Sequence, residues 1–109
     1  MKTSSSLIKF DNGIDLECGV RLDSFELMVE TYGELNEDKS NGILVCHAFS
    51  GNHHAAGVSE DKKDIGWWDN IIGPDKAVDT NKYFVVCSNN LGGCSGSSGP
   101  LSTNPVSKK

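Results

Sequence analysis

The chain has 109 residues, 37% of them apolar, with a formal charge of −5 and a pI near 5.0. That length accommodates one domain, and an acidic balance without any Lys/Arg cluster among aromatics excludes a nucleic-acid footprint. No window approaches the ~20 apolar residues of a membrane span, and residues 1–10 lack the apolar core of a secretion signal, so a cytoplasmic protein is expected.

In chain order, Asp11, Asn12 and Gly13 form a turn signal. Residues 14–20 and 25–32 read as two strands joined near 21–24, an antiparallel pair at a sheet edge. Phe25, Leu27 and Val29 alternate with Glu26, Met28 and Glu30, the period of a half-buried strand. Residues 33–40 are polar and turn-rich. Ile43, Leu44 and Val45 are continuously apolar and lead into a small-residue loop containing His47, His53 and His54. This pattern predicts a strand buried on both faces. Residues 59–64 are charged and aperiodic, an exposed excursion.

Residues 66–74, GWWDNIIGP, predict a short helix stopped by Gly73-Pro74, with one tryptophan packed on the sheet. Tyr83 to Cys87 form a second apolar run, so strand, crossover and strand suggest a parallel pair. From Ser88 to Pro105 the composition turns to Gly, Ser, Asn and Pro. Two readings stay open: a flexible linker, or a loop leaving the C-terminal end of a buried parallel strand, where open α/β sheets place ligands. Lys108 and Lys109 read as a solvated end. Cys18, Cys46, Cys87 and Cys94 contain no CxxC pair and are expected to be reduced, with Cys46 and Cys87 acting as small hydrophobes.

Three imidazoles without a helically spaced carboxylate make a poor metal site, and adjacent His53 and His54 cannot easily face one ion. A buried, hydrogen-bonded His47 is the simpler expectation, while His53 or His54 could contact an anionic group. A backbone group is the stronger candidate. In α/β hydrolases the loop after the third strand supplies one oxyanion-hole N–H, and in HAFSG the amide of Phe49 occupies that position. Serine catalysis also needs an activated hydroxyl, a base and an orienting acid, yet no G-x-S-x-G elbow is present. The near matches at Gly93-Cys94-Ser95-Gly96 and Gly96-Ser97-Ser98-Gly99 are rejected, and GGCSGSSG lacks the Gly-Lys of a phosphate loop.

Taken in order, Glu30-Thr31-Tyr32-Gly33-Glu34-Leu35-Asn36, SNGILVCHAFSGNHHAAG, GWWDNIIGP, DTNKYFVVCSNNLGGCSGSSGP and Asn104-Pro105 resemble the N-terminal region of the homoserine O-acyltransferases of the α/β-hydrolase superfamily. The resemblance runs from about Phe25 to Pro105. It implies an α/β fold, here an antiparallel edge pair followed by buried parallel strands in an incomplete sheet, with residues 1–109 as the N-terminal portion of one domain. It implies acyl transfer from acyl-CoA to L-homoserine in methionine biosynthesis, through an acyl-serine, with no bound cofactor or metal and a homodimeric full-length form.

Enzymes of that family are roughly three times longer, and their Ser, Asp and His triad lies past the position of Lys109. What the resemblance carries onto this chain is the Phe49 amide as oxyanion donor, with His47, Ser50 and Gly51 shaping its loop. Asn89, Gly92, Gly93, Cys94 and Ser95 fall on a second loop near the active site. The substrate-contacting set is thus His47, Ser50, Gly51, Asn89, Gly92 and Gly93. HAFSGNHHAAG and NNLGGCSGSSGP are more similar to succinyl-transferring members than to acetyl-transferring ones, which more often read HALTGDAH. The serine-acylating branch departs from the CHA pattern. Alternatives are an acetyl donor, a non-catalytic binding module derived from the family, and a metal protein using His47, His53, His54 and Cys94. A catalytically incomplete piece of the enzyme is the leading expectation: alone it should be inactive and unfold without cooperativity.

Overall fold

A computed structural model describes residues 1–100 and 102–103. Leu101 and residues 104–109, including the Asn104-Pro105 and Lys108-Lys109 features, lie outside the described residues. The strands are β1 (Thr3–Phe10), β2 (Ile14–Asp15), β3 (Arg21–Leu22), β4 (Phe25–Tyr32), β5 (Gly42–Val45), β6 (Ile72–Gly73), β7 (Val78–Asp79) and β8 (Phe84–Ser88). Four of them form one sheet in the order β1-β4-β8-β5, antiparallel except for the final pair.

The expected parallel pair is present, with Val45 opposite Cys87 and Ile43 opposite Val85. The expected edge pair is corrected. The antiparallel partner of β4 is β1, in register from Thr3–Tyr32 to Phe10–Phe25, whereas β2 and β3 form a small separate ribbon. Residues of β1 are exposed throughout, so pairing with β4 rather than burial makes it a strand, and apolar periodicity could not reveal it.

Cross-strand partners point to the same face. Glu30 opposes Cys87 and Tyr32 opposes Val85, so these four side chains, with Ile43 and Val45, share one face. The crossover between β5 and β8 folds over it. Ala55, Ala56 and Ile72 are fully buried against Tyr32, Val45, Val85 and Cys87. This corrects two expectations. Glu30 is buried, not solvent-facing, because the crossover covers its side of β4. Strand β5 is covered on one face only: Val45 is buried, whereas Leu44 on the opposite face is 68% exposed.

No helix forms over residues 66–74, another correction. The N–H groups of Trp67 and Trp68 donate to the carbonyls of His54 and Ala55, which binds the segment to the preceding loop. The single turns it closes, from Asp69 to Gly66 and from Ile71 and Ile72 to Trp68, end where Ile72 and Gly73 pair as β6. The tryptophans stack on one another at 5.5 Å and both stay partly exposed. Gly66 makes the close approach possible, since a Cβ there would lie 2.2 Å from the Ala56 nitrogen. Of the expected exposed excursion over residues 59–64, residues 60–64 are exposed and Ser59 is half-buried. All four cysteines are free; Cys87 is buried, but Cys46 is exposed, against expectation. Burial pushes the Cys87 thiol up to about 11, keeping it an inert apolar group.

The radius of gyration, 15.5 Å, exceeds the ~13 Å of a compact chain this long. Helices would normally cover both faces of a parallel sheet, and the described residues contain none. None is therefore long and apolar enough to cross a membrane.

Candidate functional site

Strand β5 ends at Val45 and the chain turns at once. The Gly51 N–H donates to the Ala48 carbonyl at 2.8 Å, closing a four-residue turn with Phe49 and Ser50 at its centre. The N–H of the first central residue of such a turn takes no part in the closing bond. Among the described residues the Phe49 amide has no intramolecular acceptor, and its side chain is fully exposed. Ser50 is exposed too. Space at Gly51 is tight: a Cβ would lie 3.1 Å from the His47 Cβ and 3.2 Å from the Ala48 oxygen.

His47 sits between this turn and the loop after β8. It is buried, its Nδ1 lies 2.7 Å from the Ala48 carbonyl oxygen, and its Nε2 accepts the Asn90 N–H at 3.0 Å. The Asn89 Nδ2 lies 3.4 Å from the same nitrogen. Asn89 is 1% exposed. Its N–H donates to Met28, its carbonyl accepts the Ser97 hydroxyl at 2.6 Å, and its Oδ1 accepts the Ser95 N–H at 3.1 Å.

From Asn89 to Ser98 the chain is no loose linker. Ser97 and Ser98 hydroxyls accept the Met28 and Glu26 N–H groups, so the glycine-rich loop returns to β4. Gly92, at φ 90°, occupies backbone space that favours glycine, and its N–H donates to Ser98. A Cβ on Gly93 would lie 2.8 Å from the Asn89 amide. Cys94 is exposed. The two loops singled out in the sequence are thus joined, through His47 and Asn89.

A second cluster, missed by the sequence reading, holds the far part of the same loop. The Tyr32 hydroxyl donates to the buried Glu30 carboxylate at 2.7 Å and accepts the Ala55 and Ala56 N–H groups at 2.9 and 3.2 Å. Burial, followed by the Glu30 contact, raises the Tyr32 pKa, so the phenol keeps its proton for Glu30. His54 Nδ1 lies 2.8 Å from the Glu30 carboxylate and Nε2 3.3 Å from the Asp64 carbonyl oxygen, and the protonated ring donates to both. The available signal was a carboxylate and a phenol two apart on one strand, followed by histidines in the next loop.

Burial alone would lower the His54 pKa, but the hydrogen bond to Glu30 and its charge outweigh it and the net shift is upward. Burial lowers that of His53. In an NMR titration His54 is expected to titrate above 6.5 and His53 below it. Because the folded His54 value is raised, its pairing stabilises fully below the unfolded value near 6.5 and loses that contribution as pH rises through the folded value. Protection of the Ala55 and Ala56 amides should decline over that upper window. A decline only on acidification would contradict the pairing.

Glu30, Asn52, His53, His54, Trp67 and Ser95 line an open cleft of about 710 Å³. No three His, Cys, Asp or Glu side chains among the described residues converge as metal ligands. The grouping of His47, His53, His54 and Cys94 is therefore not assembled: His47 and His54 spend both ring nitrogens on internal partners.

No family model matches the chain. Over 104 residues it is 61% identical to the homoserine O-succinyltransferase of Saccharophagus degradans, a match covering 94% of this chain and 27% of that protein. Over 103 residues it is 62% identical to the homoserine O-succinyltransferase of Hahella chejuensis, covering 93% and 26%. The chain thus spans about a quarter of the length of these curated relatives. Among solved structures, the homoserine O-acetyltransferase from Bacillus anthracis superposes with a TM-score of 0.88 at 38% identity, over 100% of this chain and 31% of that one. Esterase E22 gives 0.86 at 34%, over 99% and 31%.

Proposed function

We propose, for a chain that belongs with the homoserine O-acyltransferases of the α/β-hydrolase superfamily and matches their N-terminal portion, that residues 1–109 form the N-terminal part of one catalytic domain and supply half of its oxyanion hole. The reaction is transfer of a succinyl group from succinyl-CoA to the L-homoserine hydroxyl, giving O-succinyl-L-homoserine and CoA. The observation that carries the proposal is the Phe49 amide: it is unengaged among the described residues, in a tight turn shortly after a parallel strand. That is where this fold presents a donor to a tetrahedral intermediate.

A serine nucleophile, supplied with its base and acid by the rest of the domain, attacks the thioester carbonyl. Negative charge then develops on the carbonyl oxygen, where the Phe49 N–H and the amide after the nucleophile receive it. Collapse expels CoA and leaves an acyl-serine. Homoserine attacks next, and the same donors serve a second intermediate. Acyl-CoA is a co-substrate, so no resident cofactor is needed. The same reading describes a cytoplasmic homodimer that uses neither nucleic acid nor membrane.

The succinyl donor is supported by the names of relatives about 60% identical. The acetyl donor is the second reading, favoured by the structural likeness to the Bacillus anthracis enzyme. Both are tested by a chimera in which this chain replaces the matching quarter of the Saccharophagus degradans protein. It should transfer succinyl groups to homoserine within about tenfold of the parent rate, a difference of ~1.4 kcal/mol in the barrier. A folded chimera without turnover would sink the proposal, and faster transfer from acetyl-CoA would reassign the donor. The 109-residue chain alone should give no turnover above a no-enzyme control.

A further inference from the structure

We propose that His47 is a positioning residue: by gripping the Ala48 carbonyl in a tautomer selected by the loop after β8, it sets the direction of the Phe49 amide. The inference rests on the reading of Phe49 as oxyanion donor.

The Ala48 carbonyl and the Phe49 N–H belong to one planar trans peptide unit and point in opposite directions. Fixing the carbonyl therefore aims the N–H. Two donors hold that oxygen, His47 Nδ1 at 2.7 Å and the Gly51 N–H at 2.8 Å. Bonds to the carbonyl also polarise the unit and strengthen its N–H as a donor.

The tautomer follows from what lies on the other side of the ring. A backbone N–H can only donate, so the Asn90 amide, 3.0 Å from Nε2, requires that nitrogen to be unprotonated. The single ring proton then resides on Nδ1 and faces Ala48. The Asn89 Nδ2 is a further possible donor to Nε2, and Asn89 is itself held by Met28, Ser95 and Ser97. Placement of the second loop on β4 is thereby passed through one imidazole to the oxyanion turn. Neither ring nitrogen is left to touch a substrate, so His47 acts only through Ala48.

The test compares two substitutions in the chimera. In His47→Asn the side-chain amide nitrogen can stand where Nδ1 does and keep the bond to Ala48. In His47→Gln the amide oxygen can stand near Nε2 and accept from Asn90, but the Ala48 donor is lost. His47→Gln is expected to lower kcat ~10- to 30-fold, less than the loss of a whole donor, with both KM values held within about twofold. His47→Asn should recover most of that loss. A rise in KM at constant kcat would mark a substrate contact and overturn the proposal, as would equal kcat losses in the two variants.

The ring itself gives a readout independent of turnover and of either variant's folding. Long-range 1H–15N spectra of the histidine-labelled chimera should show a protonated Nδ1 and a bare Nε2 for His47. A protonated Nε2 overturns the proposal. If Phe49→Pro in the same chimera leaves kcat intact while the expected tautomer is observed, Phe49 is not the donor and the catalytic role given to His47 falls with it. A kcat loss in Phe49→Pro combined with the wrong tautomer would refute the positioning role alone.

Discussion

Replacing Phe49 by proline in the chimera is expected to lower kcat by about 100- to 1000-fold while leaving the fold intact, because it deletes one oxyanion donor and little else. Proline is favoured at the first central position of a turn, and the backbone of Phe49 does not lie in the left-handed region. The Phe49 N–H closes no bond among the described residues, so no folding interaction disappears with it. Steady-state kinetics with succinyl-CoA and homoserine, beside a thermal melt, give the measurement. The loss should fall on kcat and kcat/KM alike, as for an interaction made only in the transition state. Full activity in a folded Phe49→Pro chimera would remove the donor role.

The second large effect is on stability, and a single oxygen atom carries it. Tyr32→Phe preserves shape and apolar volume, so no cavity forms. It removes the acceptor of the Ala56 N–H, in a residue with no solvent exposure, and one of two acceptors of the Ala55 N–H, which keeps the His53 carbonyl. It also takes a proton donor from buried Glu30, which keeps His54. A buried group left unpaired costs ~1–3 kcal/mol, and the weakened satisfaction of Glu30 adds to that, so a loss of about 2–4 kcal/mol is expected in urea unfolding of the chimera. For comparison, an ordinary surface substitution stays within ~0.5 kcal/mol. A Tyr32→Phe loss below ~1 kcal/mol would show that the hydroxyl is not what holds this loop.

The parallel pair and the turn after it were legible because their signals are local. Ile43 to Val45 and Tyr83 to Cys87 are short apolar runs, and Ser50-Gly51-Asn52 can hardly do anything but turn. What escaped depended on partners distant in sequence. Thr3–Phe10 becomes a strand through its neighbour, not through its own pattern. Alternation along β4 showed correctly which residues share a face, but not which face the crossover would cover. Glu30 was therefore placed in solvent when it anchors Tyr32 and His54. Residues 66–74 carry plausible helix punctuation and close single turns, yet Ile72 and Gly73 then pair with Val78 and Asp79, which no pattern within the segment announces. His47 was recognisable as a histidine at the end of a strand. Its link to Asn90 was not, since no spacing rule connects residues 43 apart.

Among the described residues β5 is paired on one side only, through β8, and beside that free edge Leu44 is left in solvent. Such an edge accepts any strand of matching length, including another copy of itself. During synthesis the N-terminal part of a domain emerges first, at ~5–20 residues per second. In the proposed domain this segment waits on the ribosome for seconds with the free edge of β5 uncapped. Crowded polysomes would then favour neighbour-to-neighbour pairing, and the yield of active enzyme would depend on translation speed and chaperone supply as much as on final stability.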